Sequence, residues 1–206
     1  MKYVLINFFL TFSLLSCQSK KMPIKDLINE NHEFELSKIE KSYGSKSPYP
    51  QSCQLDVSSF DSYIALVSYS DSLICDYEYF DLLFETDSVD YSLNLKGWCR
   101  ETIDIKIKER NVLIYTNEIL YKQRSGKRYM TFSNKDLRSI LEKDLNNNGE
   151  EKWLSESERK LLIFYNQVDP SLDLMKSRVI DLMETYSEIS PDSSLLKVYL
   201  FDKLIK

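Results

Sequence analysis

Between Ser70 and Tyr91 the chain sets Asp71, Asp76, Glu78, Asp81, Glu85, Asp87 and Asp90 among the rings of Tyr69, Tyr77, Tyr79, Phe80, Phe84 and Tyr91. Carboxylates beside aromatic rings can grip a sugar or a basic partner, and two that face each other across a fixed gap can hydrolyse a glycosidic bond. A sheet with one aromatic core face and one solvated acidic face gives the same pattern. Further on, Asp144, Asn146 and Asn148 place side-chain oxygens two residues apart, Glu150 adds another, and Gly149 allows a sharp turn. Alternating oxygens are what a hard cation takes up. An Asn-Gly turn between two helices uses the same residue types. Lys122, Arg124, Lys127 and Arg128 gather around Ser125-Gly126 as a basic hairpin tip. Such a tip can touch lipid phosphate or polysaccharide, or simply discourage edge pairing.

Other chemistry is poorly supplied. His32 is the single histidine, so a serine or cysteine triad would hang on one residue in a polar predicted helix. The glycines Gly44, Gly97, Gly126 and Gly149 are too scattered to cradle a phosphate. Trp98 and Trp153 read as core or interface anchors. A formal net charge of −5 excludes nucleic acid as the expected partner and favours basic proteins or cations.

The N-terminus carries a different kind of signal. Lys2 precedes an apolar run from Tyr3 to Leu15, broken only by Asn7, Thr11 and Ser13. That run is shorter than the roughly 20 residues a spanning helix needs and has the length of a secretory leader. Leu14-Leu15-Ser16-Cys17 then resembles the lipobox of bacterial lipoproteins. The resemblance implies removal of residues 1–16 and lipidation of Cys17, with residues 17–23 as a tether and 24–206 as a single domain. Multiple acyl chains would make that tether durable. Gln18 after the cysteine points to the outer membrane. An ordinary cleaved leader with a chance cysteine is the alternative.

Residues 144–155 resemble an EF-hand calcium loop, which implies weak Ca2+ binding by Asp144, Asn146, Asn148 and Glu150. The match departs at Glu151, Lys152 and Ser155, the last standing where a bidentate glutamate belongs. Cys53, Cys75 and Cys99 remain beside Cys17, enough for one bridge in an oxidising compartment. Cys53 with Cys99 is the expected pair, both lying at turns, whereas Cys75 sits in an apolar stretch that suits a buried thiol.

These groups need elements to hold them. Ile24, Leu27, Ile28, Phe34 and Ile39 suggest helical segments over 24–41. Alternation then predicts antiparallel strands between about 60 and 132: at 62–69, 75–79, 80–85, 91–96, 103–107, 111–119 and 128–132. From 134 to 205 the spacing is helical. Ser133 with Asp136 opens one helix, Ser155 with Glu158 a second over 161–168, Asp169-Pro170 a third, and Pro191 a last. The expectation is an α+β fold, a β-meander followed by helices. The expected function is a lipid-anchored envelope protein that binds a basic envelope protein or a glycan, in its narrower form an inhibitor or immunity protein. A carboxylate-dependent hydrolase of cell-wall glycan and a structural component of an envelope complex are the alternatives.

Overall fold

The computed structural model describes residues 38–46, 53–73, 79–96, 108–124 and 128–201, all within one compact unit. Cys17, the 17–23 tether, His32, most of 24–41, Cys75, Trp98, Cys99 and the 103–107 segment lie outside the described residues.

The fold is α+β, built on two sheets of mixed orientation. The first contains β1 (Ile39–Tyr43), β2 (Cys53–Asp56), β3 (Tyr79–Glu85) and β4 (Val89–Lys96), in the order β1-β4-β3-β2. β3 and β4 form an antiparallel hairpin. Thr86 closes its turn, its Oγ1 donating to the Val89 carbonyl at 2.7 Å and accepting the Val89 N–H at 3.0 Å. β1 joins β4 and β2 joins β3 in parallel. A parallel pair needs a crossover, and between β2 and β3 this is α1 (Tyr63–Leu73).

The second sheet contains β5 (Val112–Thr116), β6 (Ile119–Arg124), β7 (Arg128–Ser133), β8 (Leu162–Asn166) and β9 (Val198–Phe201), in the order β7-β6-β5-β8-β9. β5, β6 and β7 meander antiparallel, and β8 and β9 add in parallel. α2 (Leu137–Leu145) lies between β7 and β8 in the chain, and α3 (Leu172–Ile189) between β8 and β9.

The single expected meander is therefore two sheets, each a short antiparallel run extended by parallel strands. Of the strand expected at 62–69, residues 63–69 are helical because Tyr63, Leu66, Val67 and Ser70 share one buried helix face despite their β-prone types. Residues 161–168 carry β8, a five-residue apolar run buried between two parallel neighbours. After Pro191 there is one 3-10 turn, Ser193–Leu195, and then β9. Ile39 begins a strand rather than ending a helix.

Two helix starts follow the sequence closely. Ser133 and Asp136 exchange capping hydrogen bonds ahead of α2, and Ser171 caps α3 by accepting the Leu174 N–H at 3.2 Å. α3 buries Met175, Val179, Leu182, Met183 and Tyr186 and touches both sheets. Glu184 accepts from Tyr91 of β4 at 2.8 Å, and Asp181 from Tyr115 of β5 at 3.4 Å.

Tyrosine dominates the interior. Tyr63, Tyr115, Tyr165 and Tyr186 are almost wholly buried, and the Tyr165 ring meets Tyr63 and Tyr115 edge-on at 5.8 and 5.7 Å. Each hydroxyl finds a partner. Tyr165 donates to Gln167 Oε1 at 2.6 Å and Tyr186 to Glu158 at 2.8 Å. The Tyr63 hydroxyl reaches the carbonyls of Tyr165 and Phe201 at 2.9 and 3.0 Å and accepts the Phe201 N–H at 3.2 Å.

Candidate functional site

Alternation along β3 sends Phe80, Leu82 and Phe84 into the core and Asp81, Leu83 and Glu85 to the other face of the first sheet. The registers carry this across the strands. Asp81 stands opposite Asn94 of β4 and Gln54 of β2, Glu85 opposite Asp90, and Asp90 opposite Glu40 of β1. Three strands thus place acid on one face, where a groove of about 640 Å³ opens with Glu40, Asp81, Asp90 and Asn94 in its wall. Asp81 and Asn94 sit deep, 8% and 7% exposed. Asn94 is oriented by donating to the Tyr43 carbonyl at 2.7 Å and to Ser42 Oγ at 3.0 Å.

Two lysines border this face. Lys38 bridges Asp90 at 3.1 Å and Glu85 at 3.6 Å, and those carboxylates hold its ammonium above the ordinary lysine range. Lys46 lines the groove. Lys41 also lines the groove but carries its ammonium to α3, 2.6 Å from Glu184, whose hydrogen bond raises the lysine's pKa. Burial works to raise the Glu184 carboxyl, but hydrogen bonds from Lys41 and Tyr91 outweigh it and leave the carboxyl below its usual range. Of the acidic run singled out by sequence, Asp81, Glu85 and Asp90 share this face. Asp71 is exposed on α1, Asp87 lies in the hairpin turn, and Asp76 and Glu78 lie outside the described residues.

The loop after α2 is held from beneath. Asp144 is fully buried at the end of α2, with Oδ2 2.5 Å from Lys122 Nζ and Oδ1 accepting the Ser155 N–H at 2.7 Å. Lys122 therefore does not belong to an exposed hairpin tip. It points inward from β6, also touching Ser155 Oγ at 3.1 Å, and burial lowers its pKa against the pull of Asp144. Asn147, passed over in the oxygen pattern, is the loop's organiser. Its amide donates to the carbonyls of Glu151 and Ser155 at 3.1 and 2.8 Å and accepts the Glu151 N–H at 2.6 Å.

Three of the four expected calcium ligands thus make other contacts. Asp144 serves Lys122 and Ser155, Asn146 donates to the Glu142 carbonyl at 2.9 Å, Asn148 donates to the Asn146 carbonyl at 3.3 Å, and Glu150 is exposed. Asn148 and Gly149 take positive φ, as a tight turn requires. Ser155 caps no helix, and Glu158 accepts from Tyr186 and Ser190. Glu156 gathers Lys108, Lys160 and Arg110, each at 2.7 Å, and these cations hold its carboxyl down to about 2. Among the described residues no cluster of three His, Cys, Asp or Glu side chains is arranged to hold a metal. Cys53 is buried on β2, and its expected partner Cys99 lies outside the described residues.

No family model matches the chain, and no curated protein matches it. Nothing in the sequence separated Lys122 from the other cations of its cluster or Asn147 from its neighbours, because inward-pointing polar side chains look like surface residues until the strand and loop are placed.

Proposed function

We propose that the protein is a lipid-anchored cell-envelope binding module that takes a basic partner on the acidic groove of its first sheet. One observation carries this reading: Glu40, Asp81 and Asp90, from three adjacent strands, line one open groove in an acidic chain, with Lys41 and Lys46 in its wall and Lys38 on Asp90 as the cations that a basic partner would displace. Complementary charge of this kind steers encounter and selects partners. The anchor rests on the Leu-Leu-Ser-Cys sequence at 14–17. An inhibitor or immunity protein that caps a basic envelope-attacking enzyme is the narrower form.

The test is binding of immobilised basic proteins by the full chain in detergent, compared with E40Q/D81N/D90N. The proposal expects saturable binding that weakens with salt and is lost in the triple variant. Equal binding by the variant rejects the groove, and release of soluble fragments from peptidoglycan would replace binding with hydrolysis. Cys17→Ser should move the protein out of the membrane fraction, and its retention there without lipid labelling would reject the anchor.

A further inference from the structure

A smaller recess, of about 320 Å³, opens between the two sheets. Leu196 and Val198, both buried, line it together with half-buried Tyr79, Leu162 and Tyr199. The Tyr199 ring is braced by stacking on Phe164, their centroids 5.2 Å apart. Lys197 lends its stem to the wall, since its ammonium donates to the Arg159 carbonyl. Among the described residues the wall carries no carboxylate. A mostly apolar recess at the lower end of ligand-pocket sizes suits one large side chain.

The recess adjoins the acidic groove. Asn94 of β4 lines both, and of the successive residues after β1, Ser45 lines the recess and Lys46 the groove. Along β3 the two cavities share a sheet face, with Tyr79 in the recess and Asp81, two residues on, in the groove. Same-face neighbours on a strand stand about 7 Å apart, and side chains at i and i+2 of an extended peptide have the same spacing. A cation held at Asp81 therefore puts the next same-side residue of a chain running along β3 at Tyr79.

We propose that recess and groove form one composite site for an extended basic segment, with a cationic side chain on Asp81 and an aromatic or large aliphatic side chain, two residues away, in the recess. The composite site rests on the proposed seating of a basic partner in the groove, and it defines what that partner carries beside its charge. The groove selects by charge, and the recess adds the apolar burial that ion pairs on an open face lack.

The experiment is calorimetric titration of the full chain in detergent with N-acetyl-Phe-Gly-Lys-Gly-Lys amide and, for the opposite chain direction, N-acetyl-Lys-Gly-Lys-Gly-Phe amide. Controls replace Phe by Ala, or both Lys by Gln. One of the Phe peptides should bind at least about tenfold more tightly than its Ala control, as burial of one ring requires. Its Gln control should bind at least about tenfold more weakly than the Lys peptide. Leu162→Ser should remove the Phe advantage and leave the Ala control unchanged. Ser45→Trp, at an exposed position on the rim, should do the same by filling the recess, and it carries the test if Leu162→Ser fails to fold.

Phe and Ala peptides of equal affinity, still lost in E40Q/D81N/D90N, overturn the composite site and leave the groove as the seat of a basic partner. A Phe advantage that persists in both recess variants overturns it as well. A Gln control as tight as the Lys peptide shows a recess that acts without the groove, which also overturns it. No saturation by any peptide up to about 10 mM overturns it too, and the groove is then judged by its binding of basic proteins alone.

Discussion

Replacing one member of the Lys122–Asp144 pair strands the other where no water reaches it. Both side chains are fully buried, 2.5 Å apart, and the carboxylate has one further donor, the Ser155 N–H. In Lys122→Met the lone carboxylate either remains charged or takes up a proton. Protonating an ordinary Asp at pH 7 costs about 4 kcal/mol, which sets the scale of the loss. In Asp144→Asn the lone ammonium has the mirror choice, and shedding its proton at pH 7 costs about 4.6 kcal/mol.

Each single variant should therefore lose about 3–5 kcal/mol in urea unfolding at pH 7, and Lys122→Met/Asp144→Asn much less than the sum. The pH dependence separates the two causes. Lys122→Met has a folded carboxyl pKa raised above its unfolded value, so its stability recovers as pH falls toward 4. Asp144→Asn has a folded lysine pKa lowered below its unfolded value, so it recovers as pH rises toward 10. Losses below about 1 kcal/mol in both singles, with flat and additive pH profiles, would refute the claim that this pair holds the loop under the sheet.

Alkaline loss of stability should set in at about pH 10. Burial raises the hydroxyl pKa of Tyr115, Tyr165 and Tyr186, so above pH 10 only the unfolded chain ionises them. Each ring then removes up to about 1.4 kcal/mol per pH unit. Lys122, lowered by burial, works in the opposite sense only up to its unfolded value near 10.5. Urea midpoints flat from pH 10 to 11.5 would refute this. Gly44→Ala should cost roughly 2 kcal/mol or more, because Gly44 has φ +82° and a Cβ would lie 2.3 Å from the Asn94 carbonyl oxygen. A melting temperature equal to wild type would show that β1 and β4 can part without loss. Calcium at about 10 mM should leave the melting temperature unchanged, since Asp144 would have to abandon Lys122 to bind it; a clear rise would show that the cation displaces the lysine.

Sequence patterns carried the fold as far as local signals reach. β3, β4 and β7 were legible from alternation, and α2 and α3 from capping residues and a helical stripe. α1 and β8 were misread for opposite reasons. In α1 the Tyr63, Leu66, Val67, Ser70 spacing was outweighed by aromatic and β-branched types, and in β8 a short apolar run flanked by a capping-box pattern passed for a helix. The parallel pairings could not be read, because they depend on which strands the helices return to. The acidic face of the first sheet was legible from the alternation of Asp81 and Glu85 with Phe80 and Phe84. That Glu40 of β1 completes the groove was not, since the register joining it to Asp90 is a long-range contact. The oxygen pattern of 144–150 was legible, but the bond from Asp144 to Lys122 was not, since it joins two separate elements.

The Tyr63 hydroxyl joins three elements at one point. From α1 it reaches the Tyr165 carbonyl of β8 and both the N–H and the carbonyl of Phe201, the last described residue of β9. Asn166 of β8 reaches the same Phe201 carbonyl at 2.5 Å. The hydroxyl thus stands where β8 and β9 would otherwise bond each other directly, and it stitches a helix of the first sheet's crossover to the end of the second sheet. Loss of that one oxygen would leave backbone groups of two strands short of a partner at once, so the two sheets are coupled through a single atom at this corner.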